Sequence, residues 1–260
     1  MYIPRALIVA FLAPVCTSAL ATPNTVKRSA AAEVENGKFI VDRQAEFANH
    51  QSWTFDGSGI PEGLKVSTYP VNDQRGFYAE NAVVRNGYLE LIQSAGPDFP
   101  YRGGEVVTSV KNIKYASVRT VAILTDTYGT CNGMFFYQSN TQETDIEWLS
   151  DPNNLSNQGT RKLWLTNQDT NGDGKTYLAI DPPANPTTTE HEYRIDWTEG
   201  RVAWFVDGEQ VWETNKDVPS VPGPWIWNNW SNGDIGWSAG PPTQDAVFKV
   251  RSIDMYYNTA

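Results

Sequence analysis

The stretch Glu143-Thr144-Asp145-Ile146-Glu147 spaces three carboxylates at every second residue. In a β-strand successive side chains point to opposite faces, so the three acids are expected on one face, with Thr144 and Ile146 on the other. Like charges that share one face of a strand repel each other, and a protein seldom keeps them there without a use. The stretch therefore predicts a strand with a functional acidic face.

Carboxylates in this arrangement suit the hydrolysis of a glycosidic bond. A retaining glycosidase uses one ionised carboxylate to attack the sugar and one protonated carboxyl, about 5–5.5 Å away, to protonate the leaving oxygen. A third carboxyl between them adjusts their proton affinities by charge and hydrogen bonding. On a flat strand, residues four apart lie about 13 Å apart at Cα, so Glu143 and Glu147 converge only where the sheet is concave. A solvated edge strand with acidic spacing by chance is the alternative that these five residues leave open.

Outside this stretch, the chain alternates short apolar runs with turn signals. Asn86-Gly87 separates two such runs and favours the tight turn of a β-hairpin. Glu199-Gly200 and Asp207-Gly208 divide a later region into a predicted three-stranded meander. No long segment has a 3.6-residue period, so helix should be scarce and an all-β sandwich or barrel is expected. The predicted strands cover residues 82–85, 88–92, 105–108, 115–124, 133–137, 164–166, 193–197, 202–206, 210–212, 225–230 and 246–257.

The N-terminal region has the pattern of a secretory signal over residues 1–21. A basic residue is followed by a short apolar run and by the small residues of a cleavage site. The apolar run is too short to cross a membrane as a helix. Residues 22–50 are then a short polar segment, in which Lys27-Arg28 is either a dibasic processing site or part of an uncleaved arm. Residues 51–260 are expected to form one secreted, extracellular β-domain.

The charge of the chain restricts its partners. The sequence has 30 acidic and 20 basic residues, which gives a net charge of −10. An acidic surface argues against nucleic acid and membrane lipid as partners and suits a neutral ligand. Of the two cysteines, Cys16 lies in the predicted signal. Cys131 is therefore expected to be unpaired and buried, as a small apolar side chain.

Aromatic residues are frequent, with ten tryptophans in the chain. Trp225, Trp227 and Trp230 lie beside two asparagines, and a sugar groove needs aromatic rings next to amide groups. In a strand, Asn228 and Trp230 would share one face, with Trp225 and Trp227 on the other. The tryptophans of the meander are expected in the core: Trp197, Trp204 and Trp212.

Two polar patterns have alternative interpretations. The Asn-x-Ser/Thr sequon at Asn154 lies in a polar loop and predicts a glycan site, whereas aromatic neighbours make Asn229 less suited. Residues 169–174 have the oxygen spacing that opens a calcium loop, but its twelfth position is Ile180 instead of a glutamate. A polar hairpin turn explains this run equally well.

These motifs together resemble glycoside hydrolase family 16, the lichenase-like β-glucanases. Five stretches carry the resemblance in the family's order and spacing: 143–147, 192–197, 204–208, 218–223 and 227–230. It extends over roughly residues 80–257. It implies a concanavalin A-like β-jelly-roll sandwich of two antiparallel sheets with a concave substrate groove. It also implies a secreted, retaining endo-β-glucanase that cleaves β-1,3 and/or β-1,4 glucan by double displacement, as a monomer.

The resemblance also implies roles for individual residues. Glu143 matches the nucleophile, Asp145 the electrostatic helper and Glu147 the acid/base. Asp254 matches a position that holds a structural calcium in many members, and no cofactor is implied for catalysis. The substrate-binding residues that it implies are Glu105, Phe136, Asn228, Trp230 and Trp237.

Three positions depart from the family's pattern. Thr144 replaces the usual Ile or Leu, Thr141 a frequent Trp, and Val107 an expected Arg. The losses fall on substrate subsites and weaken a prediction of strict mixed-linkage specificity. A cell-wall transglycosylase of the same fold and a non-catalytic, lectin-like protein are the alternatives. The lack of a C-terminal lipid-anchor signal disfavours the transglycosylase. The three retained acids disfavour the lectin-like protein.

Overall fold

The computed structural model describes residues 27–260, which are almost entirely β-structure. The predicted signal at residues 1–21 and Cys16 lie outside this range. The helical element within it is a single 3-10 turn, Ala79–Asn81, so the expected scarcity of helix is confirmed there. None of the described residues belongs to a helix of the length and apolarity that a bilayer crossing requires.

Twenty strands make up the described part of the chain. The first ten are β1 (Glu33–Glu35), β2 (Lys38–Val41), β3 (Ala45–Phe47), β4 (Asn49–Thr54), β5 (Leu64–Val66), β6 (Pro70–Asn72), β7 (Arg75–Phe77), β8 (Ala82–Arg85), β9 (Tyr88–Gln93) and β10 (Tyr101–Thr108). The second ten are β11 (Ile113–Ile123), β12 (Cys131–Ser139), β13 (Gln142–Leu149), β14 (Leu163–Asn167), β15 (Thr176–Ile180), β16 (His191–Thr198), β17 (Arg201–Val206), β18 (Glu209–Thr214), β19 (Trp225–Trp230) and β20 (Ala246–Thr259).

These strands form two large stacked sheets and one small one. The front sheet has the order β15-β14-β13-β12-β19-β10-β7-β6, with β5 also paired to β10. The back sheet has the order β18-β17-β16-β11-β20-β9-β8, with β4 paired to β20. All pairs in the front sheet are antiparallel except β7 with β10, which are parallel. The predicted jelly-roll sandwich is therefore confirmed, with one parallel pair at the edge of the sheet that carries the acids.

The core lies between the front and back sheets and is rich in tryptophan. Fully buried rings come from both sheets: Trp148, Trp197, Trp204, Trp225 and Trp227. Each aromatic side chain of this size removes about 150–250 Å² from water, so these rings supply a large share of the apolar burial that stabilises the sandwich. The core positions predicted for Trp197 and Trp204 are confirmed. Trp212 is half-buried and stacks on Trp204, with 4.6 Å between ring centroids.

The third sheet, β1-β2-β3, occupies a region where no strand is predicted, because residues 29–50 have no clear period. Val41 and Phe47 of this sheet pack against Tyr256 of β20, which attaches it to the back sheet. Strand β4 follows directly and begins at Asn49, before the predicted domain start at residue 51.

A glycan at Asn154 stays a prediction, and the structure argues against it because that side chain is buried, with 1% exposure. Its amide Nδ2 donates to the backbone oxygen of Trp237 at 2.6 Å, and its Oδ1 accepts from the backbone N–H of Asn157 at 2.6 Å. The polar loop is thus folded onto the segment around Trp237. Asn229 is also buried, and it donates to the backbone oxygens of Leu91 and Ala246.

Candidate active site

The hairpin of β12 and β13 positions the three acids on the front sheet. The turn at residues 140–141 sets a register in which Tyr137 faces Glu143, Phe135 faces Asp145 and Gly133 faces Glu147. Between the acids, Thr144 and Ile146 are buried towards the core. The predicted alternation of this strand is therefore confirmed.

All three carboxylates line one cavity of about 450 Å³ on the front sheet, which we call the groove. Its other lining residues are Tyr69, Pro70, Val71, Arg75, Phe77, Glu105, Phe135, Tyr137, Asn140, Ile226, Asn228 and Trp230. The floor thus comes from β10, β12, β13 and β19, and the wall from β6 and β7. Glu143 and Glu147, four residues apart on one strand, thus open into the same cavity.

Asp145 is the most enclosed of the three acids, with 1% exposure. Burial raises the pKa of its carboxyl well above the usual range, and the charges of Glu143 and Glu147 raise it further. Asp145 is hydrogen-bonded to Glu143, and Gln168 Nε2 lies 3.4 Å from its Oδ2. From the back sheet, Trp204 Nε1 donates to its backbone oxygen at 3.0 Å. The Asp145 carboxyl therefore keeps its proton readily and can donate a hydrogen bond to Glu143.

Glu143 lies at the more open end of the strand. Burial raises its pKa from 4.5 to about 7, the hydrogen bond from Asp145 opposes this rise, and the charge of Glu147 adds to it. The ammonium of Lys175 also favours its ionised form. The pKa stays above that of a free glutamate, but these two contacts favour the ionised form, in which a carboxylate can act as a nucleophile.

Glu147 has two donors on a single oxygen. Cys131 Sγ lies 3.1 Å and Trp237 Nε1 lies 3.3 Å from its Oε1. Burial raises the pKa of Glu147, while these two donors, Lys175 and Arg75 lower it. A carboxyl with a raised pKa keeps its proton at a higher pH than an exposed glutamate does, as a general acid requires.

Next to the acids, Glu105 is held on the groove floor by hydrogen bonds. Tyr69 Oη donates to its Oε1 at 3.1 Å, and Asn228 Nδ2 donates to its Oε2 at 3.1 Å. Burial raises the pKa of Glu105, and hydrogen bonds from Ser67, Asn228 and Tyr69 oppose the rise. Gly133 leaves the space that Asn228 fills, because a Cβ there would lie 2.6 Å from Asn228 Oδ1.

Trp230 forms an aromatic side of the groove together with a cation. The guanidinium of Arg75 lies 4.2 Å from the centroid of a Trp230 ring, within the range of a cation–π contact. Arg75 comes from β7 at the sheet edge, whereas the arginine expected from the resemblance would stand at Val107 on β10. A guanidinium thus reaches the groove from another strand.

A second aromatic cluster lies beside Glu147 and consists of Trp164, Tyr177 and Trp237. Trp164 faces Glu147 in the pairing of β13 and β14. Its ring centroid lies 5.2 Å from that of Trp237 and 5.7 Å from that of Tyr177. Lys175 Nζ lies 4.8 Å from the centroid of the Trp237 ring. These three rings, which we call the Trp164 cluster, offer apolar faces next to the predicted acid/base.

Residues 65–242 match the family described as Glycosyl hydrolases family 16. The chain belongs to this family. The resemblance derived from the motifs is confirmed, and with it the assignment of the chain to a glycoside hydrolase family.

Individual relatives agree with this assignment, and a solved structure agrees with the fold. The chain is similar to a xylanase/beta-glucanase of Ruminococcus flavefaciens, with 29% identity over 168 residues, which are 59% of this chain and 20% of the relative. It is 33% identical to a beta-glucanase of Paenibacillus polymyxa over 93 residues, or 36% of each protein. The match thus spans only about a fifth to a third of these curated relatives. The solved Bacillus licheniformis beta-glucanase has the same fold, with a TM-score of 0.66 and 18% identity over 80% of this chain and 98% of that one.

Among the residues that family 16 membership suggests for the groove, Phe136 is misassigned. Its side chain is fully buried in the core, and its ring centroid lies 4.2 Å from that of Trp197. The physical reason is strand parity, since Phe136 pairs with Thr144, which also points inward. The neighbours Phe135 and Tyr137 line the groove instead.

The structure brings most of the other predicted residues together. Glu105, Asn228 and Trp230 line the groove with the three acids, and Trp237 reaches Glu147 from the Trp164 cluster. Their contacts with a sugar stay a prediction. The residues that sequence reasoning missed are Tyr69, Arg75, Phe135, Tyr137 and Trp164. For Phe135, Tyr137 and Trp164, the two-residue alternation of β12 and β14 could have indicated which side chains face the groove.

Asp254 lies on the back sheet, far in the fold from the front-sheet groove, and its surroundings do not fit a calcium ion. His50 Nε2 lies 2.6 Å from its Oδ1, and a guanidinium nitrogen of Arg119 lies 3.9 Å from its Oδ2. Calcium needs six to eight oxygen ligands, and a neighbouring guanidinium repels it. Calcium at Asp254 stays a prediction, and this arrangement argues against it.

The run at residues 169–174 forms a polar turn that closes on itself. Asp169 accepts hydrogen bonds from the backbone N–H groups of Asn171, Gly172 and Gly174. Asp217 accepts from Thr176 Oγ1 at 2.6 Å. The carboxylates of Asp169, Asp173 and Asp217 also lie within 4.8 Å of one another. The polar-turn interpretation accounts for these contacts.

A calcium chelator is expected to shift the Tm of the wild type and of Asp254→Asn equally, because Asp254 already has His50 and Arg119 as partners. A ligand of the native state stabilises by mass action, so calcium at Asp254 would make the wild type respond more strongly. Calorimetry with chelator and with added calcium measures this, and Asp217→Asn is the matched control. A fall in Tm that Asp254→Asn abolishes and Asp217→Asn retains would establish the calcium site instead.

Proposed function

We propose that this protein is a secreted, retaining endo-β-glucanase that cleaves β-1,3 and/or β-1,4 bonds by double displacement. The observation that carries the proposal is the position of Glu143, Asp145 and Glu147 along one face of β13 in a single groove. Each acid has a different set of partners there. The names of two relatives, a xylanase/beta-glucanase and a beta-glucanase, support a β-glucan as the substrate.

In the first step, the Glu143 carboxylate attacks the anomeric carbon while the proton of Glu147 passes to the glycosidic oxygen. The bond between the anomeric carbon and that oxygen breaks, and a glycosyl ester on Glu143 forms. Asp145 supports this step because its hydrogen bond lowers the pKa of Glu143 and so favours the ionised form. The released sugar keeps the proton and leaves with a free hydroxyl.

In the second step, Glu147 is ionised and takes a proton from water as the water attacks the anomeric carbon. The ester bond to Glu143 breaks, and both glutamates return to their initial states. Two inversions at one carbon give net retention of the β configuration.

Product analysis on a panel of β-glucans tests the proposal. We expect oligosaccharides of intermediate length from substrates with β-1,3, β-1,4 or mixed links, and the β anomer as the first product in NMR spectra. The relative rates across the panel identify the linkage that is cleaved. A first product with the α anomer would contradict the retaining mechanism, and release of single sugars alone would contradict the endo mode.

A cell-wall transglycosylase is the second candidate, and the Trp164 cluster favours it. Rings beside the acid/base could hold an acceptor sugar, which would replace water in the second step. Repeating the panel with a labelled oligosaccharide acceptor separates the two activities. Label in longer chains would indicate transfer, whereas unlabelled short products indicate hydrolysis. Binding without either product would support the lectin-like alternative.

Export and assembly state belong to the same proposal. The pattern of residues 1–21 supports secretion, and the acidic net charge of −10 supports a neutral polysaccharide partner rather than nucleic acid or membrane. The protein is proposed to act as a monomer. N-terminal sequencing of the exported protein tests cleavage after residue 21 or after Arg28, and size-exclusion chromatography with light scattering tests the monomer.

A further inference from the structure

Two donors from different parts of the chain meet on the same oxygen of Glu147. Cys131 Sγ lies 3.1 Å and Trp237 Nε1 lies 3.3 Å from Oε1. Cys131 is fully buried at the start of β12, two residues before Gly133, which faces Glu147. Because of this alternation, its thiol lies on the same face of the sheet as the carboxyl.

We propose that Cys131 and Trp237 fix Oε1 of Glu147 as a hydrogen-bond acceptor, so that the acidic proton resides on Oε2 and is delivered from there. Cys131 is then a positioning residue that acts through Glu147, without contact to the substrate. The inference rests on the proposed function, in which Glu147 is the acid/base. It goes beyond that function because it assigns the proton to one oxygen and a role to the unpaired cysteine.

The chemistry of the two donors supports this assignment. An indole N–H can only donate, so Trp237 requires an oxygen with a free lone pair. In a protonated carboxyl the carbonyl oxygen is the better acceptor, and the other oxygen carries the O–H. With both donors on Oε1, that oxygen is the carbonyl and Oε2 carries the proton.

The thiol is suited to act as a permanent donor. Burial raises the pKa of Cys131 well above its usual range, and the charges of Glu147 and Asp145 raise it further. The thiol therefore keeps its proton at the pH values at which glutamates titrate. A neutral donor also adds no charge to a site that already holds several charged groups.

Those charged groups surround Glu147 from four elements. They are Glu143 and Asp145 on β13, Arg75 on β7, Glu105 on β10, and Lys175 in the turn before β15. A change at Cys131 leaves all of them in place. Burial itself raises the pKa of Glu147, so water that entered the vacated space would lower this pKa, whereas loss of the donor would raise it.

The test compares Cys131→Ala, which removes the donor, with Cys131→Ser, which keeps an O–H at the same position. Hydrogen bonds to an ionised carboxylate are stronger than those to a neutral one, so losing the donor disfavours the ionised form of Glu147. We expect the basic limb of the kcat/KM profile to move to higher pH in Cys131→Ala and to stay in place in Cys131→Ser. On β-glucan, kcat of Cys131→Ala should fall about tenfold with unchanged KM, because proton delivery is a part of general acid catalysis.

Two further variants separate positioning from packing. Trp237→Phe removes the other donor and keeps an aromatic ring, and it should move the basic limb in the same direction. Ser117→Ala removes a buried polar atom on the back sheet and should change neither limb. On an activated aryl β-glucoside, which needs little protonation, Cys131→Ala should lose far less activity than on glucan.

Suppose that Cys131→Ala lost as much activity on the aryl glucoside as on glucan, and that the basic limb of its kcat/KM profile did not move. This result would overturn the proposal and leave Cys131 with a packing role. A Cys131→Ser profile shifted as far as that of Cys131→Ala would also overturn it. NMR titration of protein with ¹³C-labelled glutamate carboxyls, assigned through Glu147→Gln, measures the same pKa shift without turnover. A shift of the Glu147 signal in Cys131→Ala would uphold the hydrogen bond even if wild-type protein cleaved no glucan, and an unshifted signal would reject it.

Discussion

Glu143→Gln and Glu147→Gln are each expected to lower kcat on β-glucan by about a thousandfold or more, and Glu143→Gln is expected to raise the Tm at neutral pH. The loss of activity follows from the separate roles of the two residues, as nucleophile and as acid/base. The amide keeps the shape of the side chain, so the groove itself should survive. Activity and stability should therefore move in opposite directions.

The gain in stability follows from the raised pKa of Glu143, from 4.5 to about 7. A carboxyl with a raised pKa in the folded protein costs nothing below its unfolded pKa, where it is protonated in both states. The cost develops as the pH rises above 4.5 and is complete above about 7, because the folded state must then hold a buried charge. Removing the charge should restore on the order of a few kcal/mol at pH 8 and almost nothing at pH 4.

Calorimetry at pH 4 and pH 8 and turnover assays measure both effects. Glu62→Gln, an exposed acid outside the groove, is the matched control and should change neither quantity. Wild-type turnover in folded Glu143→Gln or Glu147→Gln would refute the catalytic assignment. A Tm gain that is equal at the two pH values would show that the variant stabilises by some cause other than the lost charge.

The acidic face is the part of the site that the sequence predicts best, because one strand has a strict two-residue period. The same period places Asn228 and Trp230 together on β19. The period excludes Phe136 only once the register of the hairpin is known, because the turn at residues 140–141 pairs that residue with inward-facing Thr144. The face on which a strand residue lies therefore depends on the alternation of its own strand and on the register of the neighbouring strand.

The wall of the groove could not be predicted in this way. Strands β6 and β7 have three residues each, which is too short for a period to appear, and Pro70 opens the first. Arg75 reaches the groove through the parallel pairing of β7 with β10, a contact between segments far apart in sequence. Such pairings depend on the assembled sheet and leave no local signal.

Cys131 is intermediate between these cases. Its burial follows from the apolar character of the residue and is confirmed. Its hydrogen bond to Glu147 depends on the register between β12 and β13, and the position of Trp237 depends on the loop that also buries Asn154. Burial can thus be predicted from residue type, whereas the partner of a buried group requires the pairing of strands.

Azide is expected to restore turnover to the two alanine variants with opposite stereochemistry. An activated aryl β-glucoside needs little protonation of its leaving group, so Glu147→Ala should still form the ester on Glu143. Azide, which needs no general base, should then attack the ester and give the β-glycosyl azide. Glu143→Ala has no nucleophile, so azide should enter the vacated space, attack directly and give the α-glycosyl azide.

NMR of the azide products measures the anomeric configuration, and the Gln variant at each position is the control, because its amide fills the space that azide needs. We expect azide to raise the turnover rate of each alanine variant at least about tenfold over its rate without azide, since each variant retains one of the two catalytic groups. If Glu147→Ala gave the α-azide and Glu143→Ala the β-azide, the two glutamates would have exchanged roles. If neither were rescued while both bound glucan as the wild type does, the acidic face of β13 would belong to a binding protein, and the retaining mechanism would have to be abandoned.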